Sequence, residues 1–181
     1  ACNPFYENII PIVEEYMAKI NALTGRNYSL FNYYGAKDAE YVIVAMGSVC
    51  GTIEETIDYF NEQGEKYGLV EVHLFRPFSI QHFREAVPKT AKRIAVLDRT
   101  KEPGAPGEPL YLDVRNSFYG CQDAPLIIGG RFGLSSKDTT PAEIKAVFDN
   151  LKSTQRTVPG LAVMIFSDDG SEECVTSSTI P

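Results

Sequence analysis

The chain is 181 residues long, enough to bury a full core in one domain and short for two. Its 44% hydrophobic and 11% aromatic content excludes wholesale disorder. With 17 basic and 24 acidic residues the formal charge is −7, and the acids form no long run. This disfavours nucleic acid or an anionic membrane as the main partner, because phosphate recognition needs clustered Lys and Arg.

In chain order, the first expected element is a helix over residues 5–23. Ile9, Ile12, Val13, Tyr16, Met17 and Ile20 recur at steps of three and four and define one apolar face, with Glu14, Glu15 and Lys19 opposite. Thr24-Gly25 supplies its stop. The aromatic run Tyr28 to Tyr34 alternates weakly and reads as a strand. Tyr41 to Met46 is continuously apolar, as a strand buried on both faces requires. After the turn Gly47 to Gly51, Thr52 and Glu55 have capping-box spacing, predicting a helix to about Tyr67 with Gly68 as its end.

Leu69 to Leu74 is the next strand, and Ser79 starts a short helix closed by Pro88. Arg93 to Asp98 is a further strand. The Pro- and Gly-rich segment Lys101 to Pro109 has no regular pattern; Leu110 to Phe118 follows as a helix and Ala124 to Ile128 as a strand. Thr140 as N-cap, Pro141 at the first position and Glu143 at the third mark another helix, running to about Leu151. Leu161 to Phe166 has the composition of a last strand, and Ser167 to Pro181 reads as a polar, frayed tail. The expected fold class is α/β, with right-handed crossovers and a mostly parallel sheet between helices. The expected domain covers residues 1–166.

Cys2, Cys50, Cys121 and Cys174 are far apart and include no Cys-x-x-Cys pair, so no zinc or iron–sulfur motif is present. The longest apolar runs are strand-length, too short for a membrane span. No apolar leader precedes Ala1, and the thiols are expected to be reduced. The chain opens on Ala1-Cys2-Asn3-Pro4 without a methionine, which implies processing or excision from something longer.

Ligands of open parallel sheets sit beyond the carboxyl ends of the strands. That singles out Gly47 and Ser48, whose turn could present amides to a phosphate but lacks both Gly-x-Gly-x-x-Gly and Gly-Lys-Ser/Thr. It also singles out Arg76 in Phe75-Arg76-Pro77-Phe78, and Arg99 and Lys101 in Asp98-Arg99-Thr100-Lys101-Glu102. An Arg fork at a strand end suits a carboxylate or phosphate, although a salt bridge such as Arg99 with Glu102 would serve structure alone. Cys50 at a helix start could be an activated thiolate, but no His is near it in sequence and a buried inert thiol is the simpler reading. His73 is expected in the core and His82 at the surface, and they lack metal-ligand spacing. No catalytic residue and no metal set is assigned.

Several stretches together resemble one family. They are Tyr28 to Gly35, Tyr41 to Ser48 with Thr52 to Tyr59, Val70 to Ser79, the long string Lys92 to Asp113, and Gly129 to Asp138 with Val147 to Leu151. These resemble the second domain of pyruvate:ferredoxin (or flavodoxin) oxidoreductase, which is similar to the C-terminal domain of transketolase. The resemblance implies a three-layer α/β/α fold with five main strands, Tyr28 to Tyr34 antiparallel to the rest. It implies a parent that decarboxylates pyruvate to acetyl-CoA using thiamine diphosphate, Mg, 4Fe-4S clusters and coenzyme A, with no cofactor bound by this domain. The implied parent is a cytoplasmic homodimer, or one in a reducing organelle of an anaerobic protist, passing electrons to ferredoxin or flavodoxin. In this reading the chain is a structural and docking module among the parent's other domains. The competing readings are a free-standing module for a nucleotide or small anion and, more remotely, a hydrolase using Cys50 or a serine.

Overall fold

In a computed structural model, residues 2–153 are described. Five strands form one sheet in the order β1-β3-β2-β4-β5. They are β1 (Phe31–Gly35), β2 (Tyr41–Ala45), β3 (Tyr67–Val72), β4 (Arg93–Asp98) and β5 (Leu126–Arg131). All pairings are parallel except that of β1 with β3, which is antiparallel. The α/β class, the five-stranded sheet and its single antiparallel member agree with the expected fold. The expected strand over Leu161 to Phe166 and the tail Ser167 to Pro181 lie outside the described residues.

Side chains alternate across a strand, so each central strand feeds two cores. Ile43, Ala45, Leu69, Ala95 and Leu97 point to one face, where α3 (Val49–Asn61) and α6 (Pro141–Lys152) cover them. Val42, Val44, Val70, Ile94 and Val96 point to the other, under α4 (Ile80–Ala86) and α5 (Pro109–Ser117). The first face stacks Tyr67 flat on Phe148, centroids 3.9 Å apart. The second buries Phe83, edge-on to Phe31. Helices on both faces give three layers, which is why β2 and the Ile94 to Leu97 stretch of β4 read as uninterrupted apolar runs.

The amino-terminal helix differs from expectation. It is two pieces, α1 (Asn3–Glu7) and α2 (Ile9–Thr24), because Pro11 has no N–H to offer the Glu7 carbonyl. Gly25 closes α2 in the left-handed region, at φ 72°. The apolar face of α2 is also divided: Ile10, Val13 and Met17 pack on the body, while Ile12, Tyr16 and Ile20 stay exposed.

Side-chain capture of the backbone moves three boundaries. Asn21 bonds both the amide and the carbonyl of Tyr28, and Asn32 Oδ1 takes the Ser29 amide, so β1 begins at Phe31 rather than Tyr28. Asn61 likewise bonds the amide and carbonyl of Tyr67, ending α3 and starting β3 there; the strand runs over 67–72 rather than 69–74. Gly68 is therefore inside β3, not a helix stop, and Tyr33 lies where a Cβ at Gly68 would stand. The capping box expected at Thr52 and Glu55 does not form, since α3 begins a turn earlier at Val49. The one at Thr140 and Glu143 does form, with both reciprocal bonds. Strand β5 extends to Arg131, beyond the expected Ile128, because Gly129 and Gly130 pair with Val96 and Leu97.

Candidate functional site at the carboxyl edge of the sheet

The parallel strands end at Ala45, Val72, Asp98 and Arg131, and the loops that follow carry all five candidate residues. Gly47 turns the chain at φ 82° and its carbonyl accepts from the Cys50 amide at 3.1 Å. Ser48 is exposed, and its hydroxyl makes no capping bond to α3.

Arg76 follows β3. Its guanidinium lies 3.8 Å from the Phe75 ring centroid, donates to the Phe75 carbonyl at 3.0 Å and approaches Asp113 Oδ2 on α5 to 2.6 Å. Asp113 Oδ2 is buried and has no aligned hydrogen bond, so this contact is an ion pair without good hydrogen-bond geometry. The peptide bond between Arg76 and Pro77 is cis.

Arg99 is exposed, and its Nε donates to the Gly133 carbonyl in the loop after β5 at 3.1 Å. The alternative of a salt bridge to Glu102 is not the one formed; the Glu102 amide donates to Glu108 Oε2 at 2.6 Å. Lys101 is exposed. Among the described residues no hydrogen bond or ion pair joins Arg76, Arg99, Lys101 and the Gly47–Ser48 turn to one another. They share an edge of the sheet but do not converge on a point.

The groups that do converge there were not singled out by sequence. Asp98, the last residue of β4, is buried and accepts from the amides of Leu110 at 3.0 Å and Tyr111 at 3.1 Å. It thus satisfies two orphan amides in the first turn of α5. Burial pushes its carboxyl above the usual carboxylate range, outweighing the two bonds that favour the charge. Glu108, one residue before α5, is pinned by Arg131 at the end of β5. The loop from Asp98 to Leu110 is thereby locked by its own acids. The available signal was Glu-Pro opening a helix ten and eleven residues after a strand-terminal Asp; nothing in sequence named Arg131 as the partner.

Cys50 is buried, and burial together with Glu71 and Glu54 pushes its thiol up to about 12. This is the reverse of an activated thiolate. Glu54 is itself raised, first by burial and then by Glu71. His73 lies one residue beyond β3 and is not in the core; its ring stands edge-on to Tyr28. His82 is half-buried rather than on the surface. It bonds Ser79 at 2.6 Å and approaches Glu14 at 3.2 Å, tying α4 to α2. Among the described residues no group of three or more His, Cys, Asp and Glu could hold a metal ion. A cavity of about 380 Å³ between α3 and α6, walled by Tyr59, Phe60, Pro141 and Ala142, contains none of the five candidates. No helix among the described residues is long and apolar enough to cross a membrane.

The sequence is similar to known oxidoreductases. It is 64% identical over 151 residues to a pyruvate-flavodoxin oxidoreductase of Klebsiella pneumoniae, a match covering 83% of this chain and 13% of that protein. It is 54% identical over 181 residues to the pyruvate-flavodoxin oxidoreductase of Enterobacter agglomerans, covering 100% of this chain and 15% of that protein. The chain therefore spans about one-seventh of the length of these relatives. A solved 2-oxoglutarate:ferredoxin oxidoreductase from Magnetococcus marinus aligns with 69% of this chain and 19% of its own at 17% identity, with a TM-score of 0.46. The profile of pyruvate:ferredoxin oxidoreductase core domain II matches residues 39–154, and the chain belongs to that family.

Proposed function

We propose that this chain is a structural and docking module of a longer oxidoreductase that converts pyruvate to acetyl-CoA and CO2 and passes electrons to ferredoxin or flavodoxin. One observation carries the non-catalytic reading. At the sheet edge where such folds do their chemistry, the buried acids are committed to structure: Asp98 to the amides of α5 and Glu108 to Arg131 and the Glu102 amide.

In this reading the domain covers residues 1–166 and works in a homodimeric, cytoplasmic parent. Thiamine diphosphate, Mg, 4Fe-4S clusters and coenzyme A would be held by other parts of that parent. The described residues of this chain do not fit a cluster: Cys2 is exposed, Cys50 is buried with a raised thiol, and Cys121 is half-buried elsewhere. Arg76, Arg99 and Lys101 are contacts to neighbouring domains or to an anionic group. Arg99 spends only its Nε on Gly133, which leaves the rest of its fork for a carboxylate.

The test is pyruvate-dependent reduction of a viologen dye with thiamine diphosphate, Mg and coenzyme A. The full-length polypeptide should turn over and the 181-residue chain should not; turnover by the short chain alone would end the reading. Arg99→Ala in the full-length protein should weaken assembly or rate. If both are untouched, Arg99 is not a contact. Saturable binding of NADP or coenzyme A by the short chain would favour the free-standing binding module instead.

A further inference from the structure

The periodicity of α2 encodes more burial than the described fold gives it. Successive residues step by about 100° around a helix, so Ile12, Tyr16, Ile20 and Leu23 fall within a sector of about 80°. They are 51%, 59%, 45% and 86% exposed. The adjoining sector, with Ile10, Val13 and Met17, is already packed on the body. Isolated exposed apolar residues are ordinary, but four in one stripe beside a covered stripe make a helix apolar over nearly half its circumference. Such a helix fits a seam between two protein masses.

The surroundings indicate what the second mass is. The two amino-terminal helices carry Glu7, Glu14 and Glu15 against the single basic residue Lys19. Lys19 is held by Glu15 at 2.5 Å and lies 4.7 Å from the Tyr16 ring centroid, and Glu14 meets His82. Among the described residues Lys19 is matched by Glu15, and Arg26, three residues past Leu23, is held on the hydroxyl and ring of Tyr28, so no cluster of cations faces an anionic lipid surface; two copies of this net-acidic helix pair face to face would repel. The rim charges of Glu14, Glu15 and Lys19 already have partners within the chain, so an apolar protein surface could cover the stripe without stranding them. The relatives offer one, since the matched stretch is only 13% and 15% of their length.

We propose that the outer face of α2, formed by Ile12, Tyr16, Ile20 and Leu23, is an interface covered by an apolar surface of the longer polypeptide outside residues 1–181. This rests on the chain being part of such a polypeptide and adds which face docks. The carboxyl-edge arginines then sit outside the main apolar contact.

The experiment uses the full-length polypeptide. Hydroxyl-radical footprinting compares oxidation of Tyr16 and Leu23 in the native and the denatured protein. A dry interface core predicts protection of about tenfold or more at both residues. Protection below about twofold, as for a residue left in water, overturns the proposal. Benzoylphenylalanine in place of Tyr16 then identifies the cover. Photo-crosslinks to residues of the polypeptide outside the 181-residue stretch support the proposal. Crosslinks to the same stretch of a second copy, distinguished by mixing isotopically light and heavy protein, overturn it. Neither readout uses turnover, so an inactive full-length protein would defeat the pyruvate reading while leaving this one to stand or fall separately.

Discussion

The Glu108 carboxylate meets the Arg131 guanidinium inside the protein, with 2% and 10% of the two side chains exposed. This pair fastens the amino end of α5 to the carboxyl end of β5, and Glu108 Oε2 also holds the Glu102 amide. Removing one partner strands the other. Arg131→Ala should cost about 3–5 kcal/mol by leaving a buried carboxylate unpaired. Arg131→Met combined with Glu108→Gln should recover much of that loss. Urea denaturation of the single and double variants checks both; equal losses would mean the pair is not coupled.

Asp98 makes a second, separable prediction. Asp98→Ala leaves the Leu110 and Tyr111 amides without acceptors and should cost about 2–3 kcal/mol. Because burial raises the folded carboxyl above its unfolded value, its ionisation opposes folding above that range. The Asp98→Ala loss should therefore be larger at pH 4 than at pH 7. Thermal melts at the two pH values measure the difference.

Glu54 carries the same sign at a more accessible place. Its carboxyl is raised by burial and by Glu71, so the charged form is disfavoured in the folded protein. Glu54→Gln keeps a hydrogen-bonding group beside Glu71 and removes the repulsion. At pH 7 it should stabilise by about 0.5 kcal/mol after allowance for solvent screening, about 1–2 °C in Tm for a chain of this size. The gain should vanish as pH falls and the native carboxyl takes up its proton. A gain constant from pH 7 to pH 4 would argue against the repulsion.

Thiol chemistry distinguishes Cys50 from the exposed Cys2. With its thiol held up to about 12 inside the α3 packing, Cys50 should be the slower of the two toward iodoacetamide at pH 8. Quantitative peptide mapping over a labelling time course reads the ratio. Rapid labelling of Cys50 in the folded protein would reopen a nucleophilic role.

Gly35 is fixed by contact rather than by turn type. A Cβ there would stand 2.4 Å from the Tyr67 carbonyl oxygen, and its φ is 109°. Gly35→Ala should destabilise by more than about 1–3 kcal/mol, combining backbone strain with a clash against β3. Gly64, also left-handed but with open space around it, should tolerate Ala with the smaller loss of φ strain alone. Comparing the two midpoints separates the causes.

The sequence by itself determined the α/β class, β2 and β4, the cap at Thr140 and the oxidoreductase family, since all are carried by local pattern or by long identical strings. Apolar runs of strand length need burial on both faces, and hydroxyl–Pro–Glu spacing satisfies amides wherever it occurs. Tertiary structure alone decided where β1 and β3 begin, because Asn21 and Asn61 reach seven and six residues along the chain to take backbone groups that periodicity assigned elsewhere. It decided that Arg99 serves Gly133 rather than Glu102, and that Glu108 is matched by Arg131. These partners lie 34 and 23 residues apart, and only the pairing of β4 with β5 brings them together. It also decided which half of the α2 apolar face is covered. Periodicity reports that a surface must be buried, but the shape of the body beneath settles how much of it this chain can bury by itself.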